Sequence, residues 1–144
     1  MDNLSDKKKL IDMLNEALIL EYTDFFSYRR ESVLFREKLV EGEKLGKEFF
    51  DLSNSELRHA DILSASIVEL GSEPVWKIAE IFSSNSLRET LAHHMKLEMS
   101  MIKFYSEIIK INTDKNFEVI LKGMQENEKE HLQRITEILS RLKG

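Results

Sequence analysis

The sequence contains no cysteine. That excludes a disulfide framework, a thiolate zinc site, a cysteine nucleophile and a four-cysteine iron centre. Any transition metal would have to be held by carboxylates and imidazoles. Proline occurs once and glycine five times in 144 residues, so long helices are not interrupted. Positive charge is not in excess: 21 Lys and Arg stand against 26 Asp and Glu, for a net charge of −5. The basic residues are scattered, which argues against a nucleic-acid surface. No run approaches the roughly 18 apolar residues of a membrane span. The opening residues Met1 to Leu10 read MDNLSDKKKL, with no apolar stretch behind the charges. No secretory signal is therefore expected, and the expected location is cytoplasmic. What the chain does have is 42% hydrophobic and 33% charged residues, enough for a buried core in a single domain spanning residues 1–144.

Apolar residues recur at helical spacing almost throughout, and strand-like alternation is scarce. The pattern predicts an all-α protein of four long helices. The first runs from about Asp6 to about Val40, and Gly42 and Gly46 are expected to loosen the chain after it. The second runs from about Glu43 to Leu70. Gly71 sits where a helix commonly ends in the left-handed conformation, and Pro74 follows shortly after. Ser72 to Asn85 is the one long connector. Ser86 with Glu89 forms a capping box for a third helix ending near Asn112. Asp114 is placed to cap a fourth that ends near Leu142. Short connections make the first and second helices, and the third and fourth, antiparallel hairpins. The connector's 14 residues, at about 3.3 Å each, can just span a bundle end to end. Length alone thus allows a bundle with a long crossover, and equally an up-down-up-down bundle with a slack loop.

Each predicted helix carries an apolar stripe broken near its middle by a glutamate. The first stripe holds Leu10, Leu14, Ala17, Glu21, Phe25, Tyr28 and Phe35. The second holds Phe49, Leu52, Glu56, His59, Leu63 and Leu70. On the third, Leu87, Leu91, His94, Glu98, Met101, Tyr105 and Ile108 share one face. On the fourth, Leu121, Met124, Glu128, His131, Ile135, Ile138 and Leu142 do so. On the second and fourth helices a histidine follows the glutamate by three residues, on the same face one turn away. Four carboxylates at one level of one core repel each other strongly and need cations between them. Four carboxylates and two imidazoles match two divalent ions in both charge and donor number.

Glutamate accounts for 19 of the 144 residues, so Glu-x-x-His taken alone is a weak signal. The order along the chain is stronger: Glu, Glu-x-x-His, Glu, Glu-x-x-His, one element per helix. Tyr28 follows Glu21 by seven residues and Tyr105 follows Glu98 by seven, so the two halves of the chain repeat one pattern.

The stretches ALILEYTDFFSYRRE, SELRHADIL, MKLEMSMIKFY and ENEKEHLQRI resemble the ferritin-like superfamily, and within it the rubrerythrin and bacterioferritin group. The resemblance covers essentially the whole chain. It implies a ferritin-like four-helix bundle whose two antiparallel hairpins are joined by a long crossover. It also implies a dinuclear iron site, with manganese as the other possible metal, at two ions per chain. In that reading Glu56 and Glu128 bridge the metals, and Glu21, His59, Glu98 and His131 are terminal ligands. Tyr28 and Tyr105 donate hydrogen bonds to the ligand carboxylates. The sequence departs from the group in three places. Rubrerythrins carry an extra glutamate one turn beyond the third-helix ligand, where this chain has Met101. They also usually carry a four-cysteine domain. Bacterioferritins bind haem through a methionine just after the second-helix glutamate, where this chain has Leu57. No haem is therefore expected. Because the sequence ends at Gly144 with no fifth helix, no large storage cage is expected either.

Asp24, one turn after Glu21, and His94, one turn before Glu98, are further candidates for contact with metal. His93, the Lys7–Lys9 run and Arg29–Arg30 read as solvated surface, and Met95, Met99 and Met101 as packing. The first helix is apolar beyond one face, through Ile11, Leu18, Ile19, Leu20, Tyr22, Phe25 and Phe26. That points to wide packing around it or to a homodimer. The resemblance implies an oxidoreductase that reduces peroxide or O₂, with electrons from a separate donor protein. Iron binding or storage is the alternative. An organic-substrate oxygenase, a manganese catalase-like dismutase and a metal-free interaction module are weaker readings.

Overall fold

The computed structural model describes residues 3–38 and 42–142. It contains four helices, α1 (Asn3–Lys38), α2 (Gly42–Glu69), α3 (Leu87–Ile111) and α4 (Lys115–Arg141), and no strand among the described residues. The expected end of the first helix at Val40 lies outside the described residues. Two compact units emerge, Met1–Ile81 and Phe82–Gly144.

The first unit is the hairpin of α1 and α2. Its antiparallel register follows from paired positions. His59 meets Glu21, Ser53 and Asn54 meet Arg29, and Gly46 lies against Ser32 and Arg36. The partners thus move down α2 as they move up α1. Gly42 and Gly46 do not loosen the chain as expected. Both lie in α2 and are buried. A Cβ on Gly42 would stand 2.5 Å from the Phe35 carbonyl oxygen, and one on Gly46 would stand 2.8 Å from that of Ser32. The glycines are there because the two backbones nearly touch. α2 stops where predicted: Gly71 takes φ +88°, its N–H donates to the Val68 carbonyl, and Ser72 N–H donates to that of Ile67. This paired pattern satisfies the last carbonyls of the helix.

After Gly71 the connector turns back along α1. Val75 N–H donates to Asn15 Oδ1 at 2.9 Å, and Ala79 N–H donates to Thr23 Oγ1 at 2.8 Å. Trp76 packs edge-on to Tyr22, with ring centroids 5.3 Å apart. The connector therefore covers part of the surplus apolar face of α1. Phe26, Val33 and, on α2, Phe50 remain exposed.

Arg29 is not simply solvated. Its guanidinium donates to Ser53 Oγ and Asn54 Oδ1 and lies 4.0 Å from the centre of the Phe50 ring. Phe25, expected in the core stripe, is half-buried and packs on Phe26 and under Arg29. Leu18 is fully buried instead, and on α2 Ile67 takes the core position expected for Leu70.

The second unit is the hairpin of α3 and α4, again antiparallel. His131 meets Glu98, Gln125 donates to the Ile102 carbonyl and to Ser106 Oγ, and Arg88 donates to the Leu142 carbonyl. Ser86 caps α3 by accepting from Glu89 N–H. The return half of the expected capping box is relayed: Ser86 N–H donates to Ser84 Oγ, and the Ser84 hydroxyl donates to Glu89 Oε2. Asp114 caps α4, accepting from Asn116 and Phe117 N–H. No helix among the described residues is long and apolar enough to cross a membrane.

Candidate metal centre

In the first unit, Glu21 and Glu56 are 0% exposed and His59 is 1% exposed. Glu56 and His59 share a face of α2 because they are three residues apart, and the hairpin register sets Glu21 of α1 opposite them. His59 Nδ1 lies 3.1 Å from Glu21 Oε2 and 3.5 Å from Glu56 Oε1. The second unit repeats the arrangement. Glu98 and Glu128 are 0% exposed, and His131 Nδ1 lies 3.2 Å from Glu98 Oε2 and 3.2 Å from Glu128 Oε1. The sequence repeat is thus also a structural one.

Within each triad, one ligand atom from every residue lies within 4.8 Å of the others. Ligands held about 2.0–2.2 Å from a common ion stand about 3–4.4 Å apart, and the Nδ1-to-carboxylate distances of 3.1–3.5 Å fall in that range. The chemistry of the donor set fits a metal as well. Two carboxylates face one imidazole nitrogen, which can carry at most one proton, in a core where water cannot screen them. A divalent cation satisfies both carboxylates and the nitrogen. Oxygen donors with one imidazole suit iron or manganese.

Tyr28 and Tyr105 are both fully buried, each seven residues beyond its helix glutamate. Helical side chains lean toward the N-terminus, so Tyr28 leans toward the turn of Glu21 and Tyr105 toward that of Glu98, about 10.5 Å back along the axis. Tyr28 stacks on Phe49, which in turn packs on Phe35. Asp24 and His94 are also buried. His93 is half-buried rather than solvated, stacked on Phe82 with centroids 4.3 Å apart. Burial, then the neighbouring His94 and Lys96, hold its pKa below the ordinary histidine value.

Sequence reasoning missed Asn15 and Thr23, which anchor the connector, and Glu31, which is buried on α1. The available signal was the presence of polar residues on the otherwise apolar second face of the first helix.

Two long antiparallel helical hairpins with a connector running back along the first helix make this a ferritin-like four-helix bundle. The model of the ferritin-like domain family matches residues 11–144, and the chain belongs to that family. Among solved structures it is similar to a ferritin-like, diiron-carboxylate protein from Bacillus anthracis str. Ames. The two are 25% identical with a TM-score of 0.87, over 96% of this chain and 99% of that one. It is also similar in fold to the Desulfovibrio desulfuricans bacterioferritin, at 22% identity and a TM-score of 0.84, over 94% of this chain and 81% of that one. No curated protein matches the sequence.

Proposed function

We propose that the two triads are the halves of one dinuclear iron centre in a single ferritin-like domain. We further propose that the protein is a rubrerythrin-like oxidoreductase that reduces peroxide or O₂. The observation that carries this is the repeated buried Glu/Glu/His triad, with the same Nδ1-to-carboxylate geometry in both hairpins. Glu56 and Glu128 would bridge the metals, and Glu21, His59, Glu98 and His131 would each hold one. Manganese fits the same donors. No haem is assigned, since Leu57 follows Glu56 where a haem-binding methionine would stand.

A bound di-iron(II) centre supplies two electrons to its oxidant in one step. The chain's own part is positioning and exclusion. Ala17, Leu52 and Leu63 lie one turn from the first triad, and Met124 and Ile135 one turn from the second, and all are buried. They keep water from the ligands and hold their rotamers. Tyr28 and Tyr105 would fix the carboxylates through their hydroxyls. Electrons would come from a separate donor protein, because the sequence has no thiolate redox centre. The exposed Phe26, Val33 and Phe50 offer a face for a homodimer.

The fold shared with a bacterioferritin favours a second reading, iron oxidation for storage or detoxification. Two measurements separate the readings. Iron-loaded protein given a reductase and hydrogen peroxide should turn over. Rapid Fe(II) oxidation with negligible peroxide turnover supports the second reading instead. A native mass of about 34 kDa, twice the 16.9 kDa chain, excludes a cage.

A further inference from the structure

Residues 75–79 of the connector belong to no helix, yet three contacts hold them to α1. Val75 N–H donates to Asn15 Oδ1 at 2.9 Å, the Trp76 ring stands edge-on to Tyr22, and Ala79 N–H donates to Thr23 Oγ1 at 2.8 Å. Asn15 and Thr23 are eight residues apart on a helix, about 12 Å along its axis. Val75 and Ala79 are four residues apart, and four extended residues span about 13 Å. The connector is thus a strap drawn out nearly straight between two ties. With so little slack, a shift of α1 at one tie is passed along the strap.

Two of the three contacts adjoin Glu21. Tyr22 follows it directly, and Thr23 follows by two residues. Thr23 is 6% exposed, and its hydroxyl makes two bonds: it accepts from Ala79 N–H and donates to the Ile19 carbonyl at 2.6 Å. A hydroxyl has one proton, so donation to Ile19 leaves the oxygen lone pairs for the strap. The two bonds join the strap to the backbone two residues before Glu21 and two residues after it. A threonine bond back to the carbonyl four residues earlier often bends a helix. The course of α1 at Glu21 therefore depends on a hydroxyl that the strap holds. Glu21 in turn meets His59, with Oε2 3.1 Å from Nδ1. Between its ties the strap carries the chain's one tryptophan, Trp76, which is 77% exposed.

We propose that Thr23 is a positioning residue that couples the strap to the Glu21/Glu56/His59 triad. When the triad is filled, Glu21 is fixed, and the turn of α1 that carries it is fixed with it. Through Thr23 and the taut strap, Trp76 is then fixed as well. The coupling is reciprocal, so a seated strap strengthens the triad's hold on its ion by the same factor. The strap is a surface element whose state follows the filling of a buried site. This rests on the metal reading above.

The test uses the full chain, freed of metal and titrated with Zn²⁺, an ion without redox chemistry. Binding is followed by competition with a chromophoric chelator, and the strap by the fluorescence anisotropy of Trp76. In the wild type the anisotropy should rise as Zn²⁺ binds and then saturate. Thr23→Val keeps the shape and removes the hydroxyl; Zn²⁺ should bind about fivefold more weakly, and the Trp76 response should be lost. Thr23→Ser, which keeps the hydroxyl, should restore both. Asn15→Ala cuts the other tie and should also flatten the response, which keeps the test open if Thr23→Val does not fold. Zn²⁺ bound by the wild type with Trp76 unmoved overturns the inference and leaves the metal reading standing. A Thr23→Val variant that is only less stable, with wild-type affinity and an intact response, overturns it too, as does an intact response in Asn15→Ala. If no Zn²⁺ binds, the metal reading falls and the inference with it.

Discussion

Replacing Glu56 with glutamine should stabilise the metal-free protein and weaken the metal-bound one. Glu21 and Glu56 are both 0% exposed, and their ligand oxygens lie within 4.8 Å of each other beside His59 Nδ1. Two unit charges about 4 Å apart at an effective dielectric near 20 repel by about 4 kcal/mol. The adjoining imidazole offsets part of this. Removing one charge while keeping shape should therefore stabilise the metal-free fold by about 1–4 kcal/mol. For a chain of this length that is a rise in Tm of about 3–12 °C. With metal the sign should reverse, because two ions, each present at a hundred times its Kd, together stabilise a competent centre by about 5 kcal/mol, more than the charge removal gains. Thermal melts of wild type and Glu56→Gln, followed by far-UV circular dichroism with EDTA and then with Mn²⁺, give all four numbers. A variant that melts below wild type in EDTA would falsify the reasoning, because Glu56 would then be stabilising the fold without any ion. A wild-type Tm indifferent to metal would refute it as well.

The remaining predictions concern the hairpins. Gly46→Ala should destabilise by about 1–3 kcal/mol through the forced approach to Ser32. Gly123→Ala, with nothing within 4 Å of its added Cβ, should stabilise by about 0.5–1 kcal/mol, and denaturant melts compare the two. Arg29→Ala should cost about 1–2 kcal/mol by loss of its bonds to Ser53 and Asn54 and its seat over Phe50, and Arg29→Lys should restore little of it. His93 should titrate below its ordinary 6.5 in an NMR pH series. Its folded pKa is depressed, so its share of stability is present above that pH and is lost as pH falls through the folded value. A His93→Gln variant should show a shallower loss of stability on acidification.

The pattern of candidate ligands was legible in the sequence because it is local and periodic. Glu56 and His59 share a face through three-residue spacing alone, and a carboxylate in an apolar stripe marks itself. The ends of the helices were legible for the same reason: Gly71, Ser86 and Asp114 each act within a turn of themselves. Phe25 and Leu70 were misplaced because burial at the edge of a stripe depends on which neighbour arrives, and that is not a property of the helix. Arg29 read as surface for the same reason, since its partners lie on another helix.

The sequence by itself determined four helices, the caps, and six candidate ligand residues in repeating order, because each depends on contacts within a turn or two of chain. Only the tertiary structure decided that Gly42 and Gly46 serve a close helix approach, since a glycine's role depends on what its missing Cβ would have met. Only the tertiary structure showed the connector tied to α1 through Asn15 and Thr23. It also decided that Glu21 meets His59 and Glu98 meets His131, because register between helices is set by packing across the hairpin and not by spacing along it.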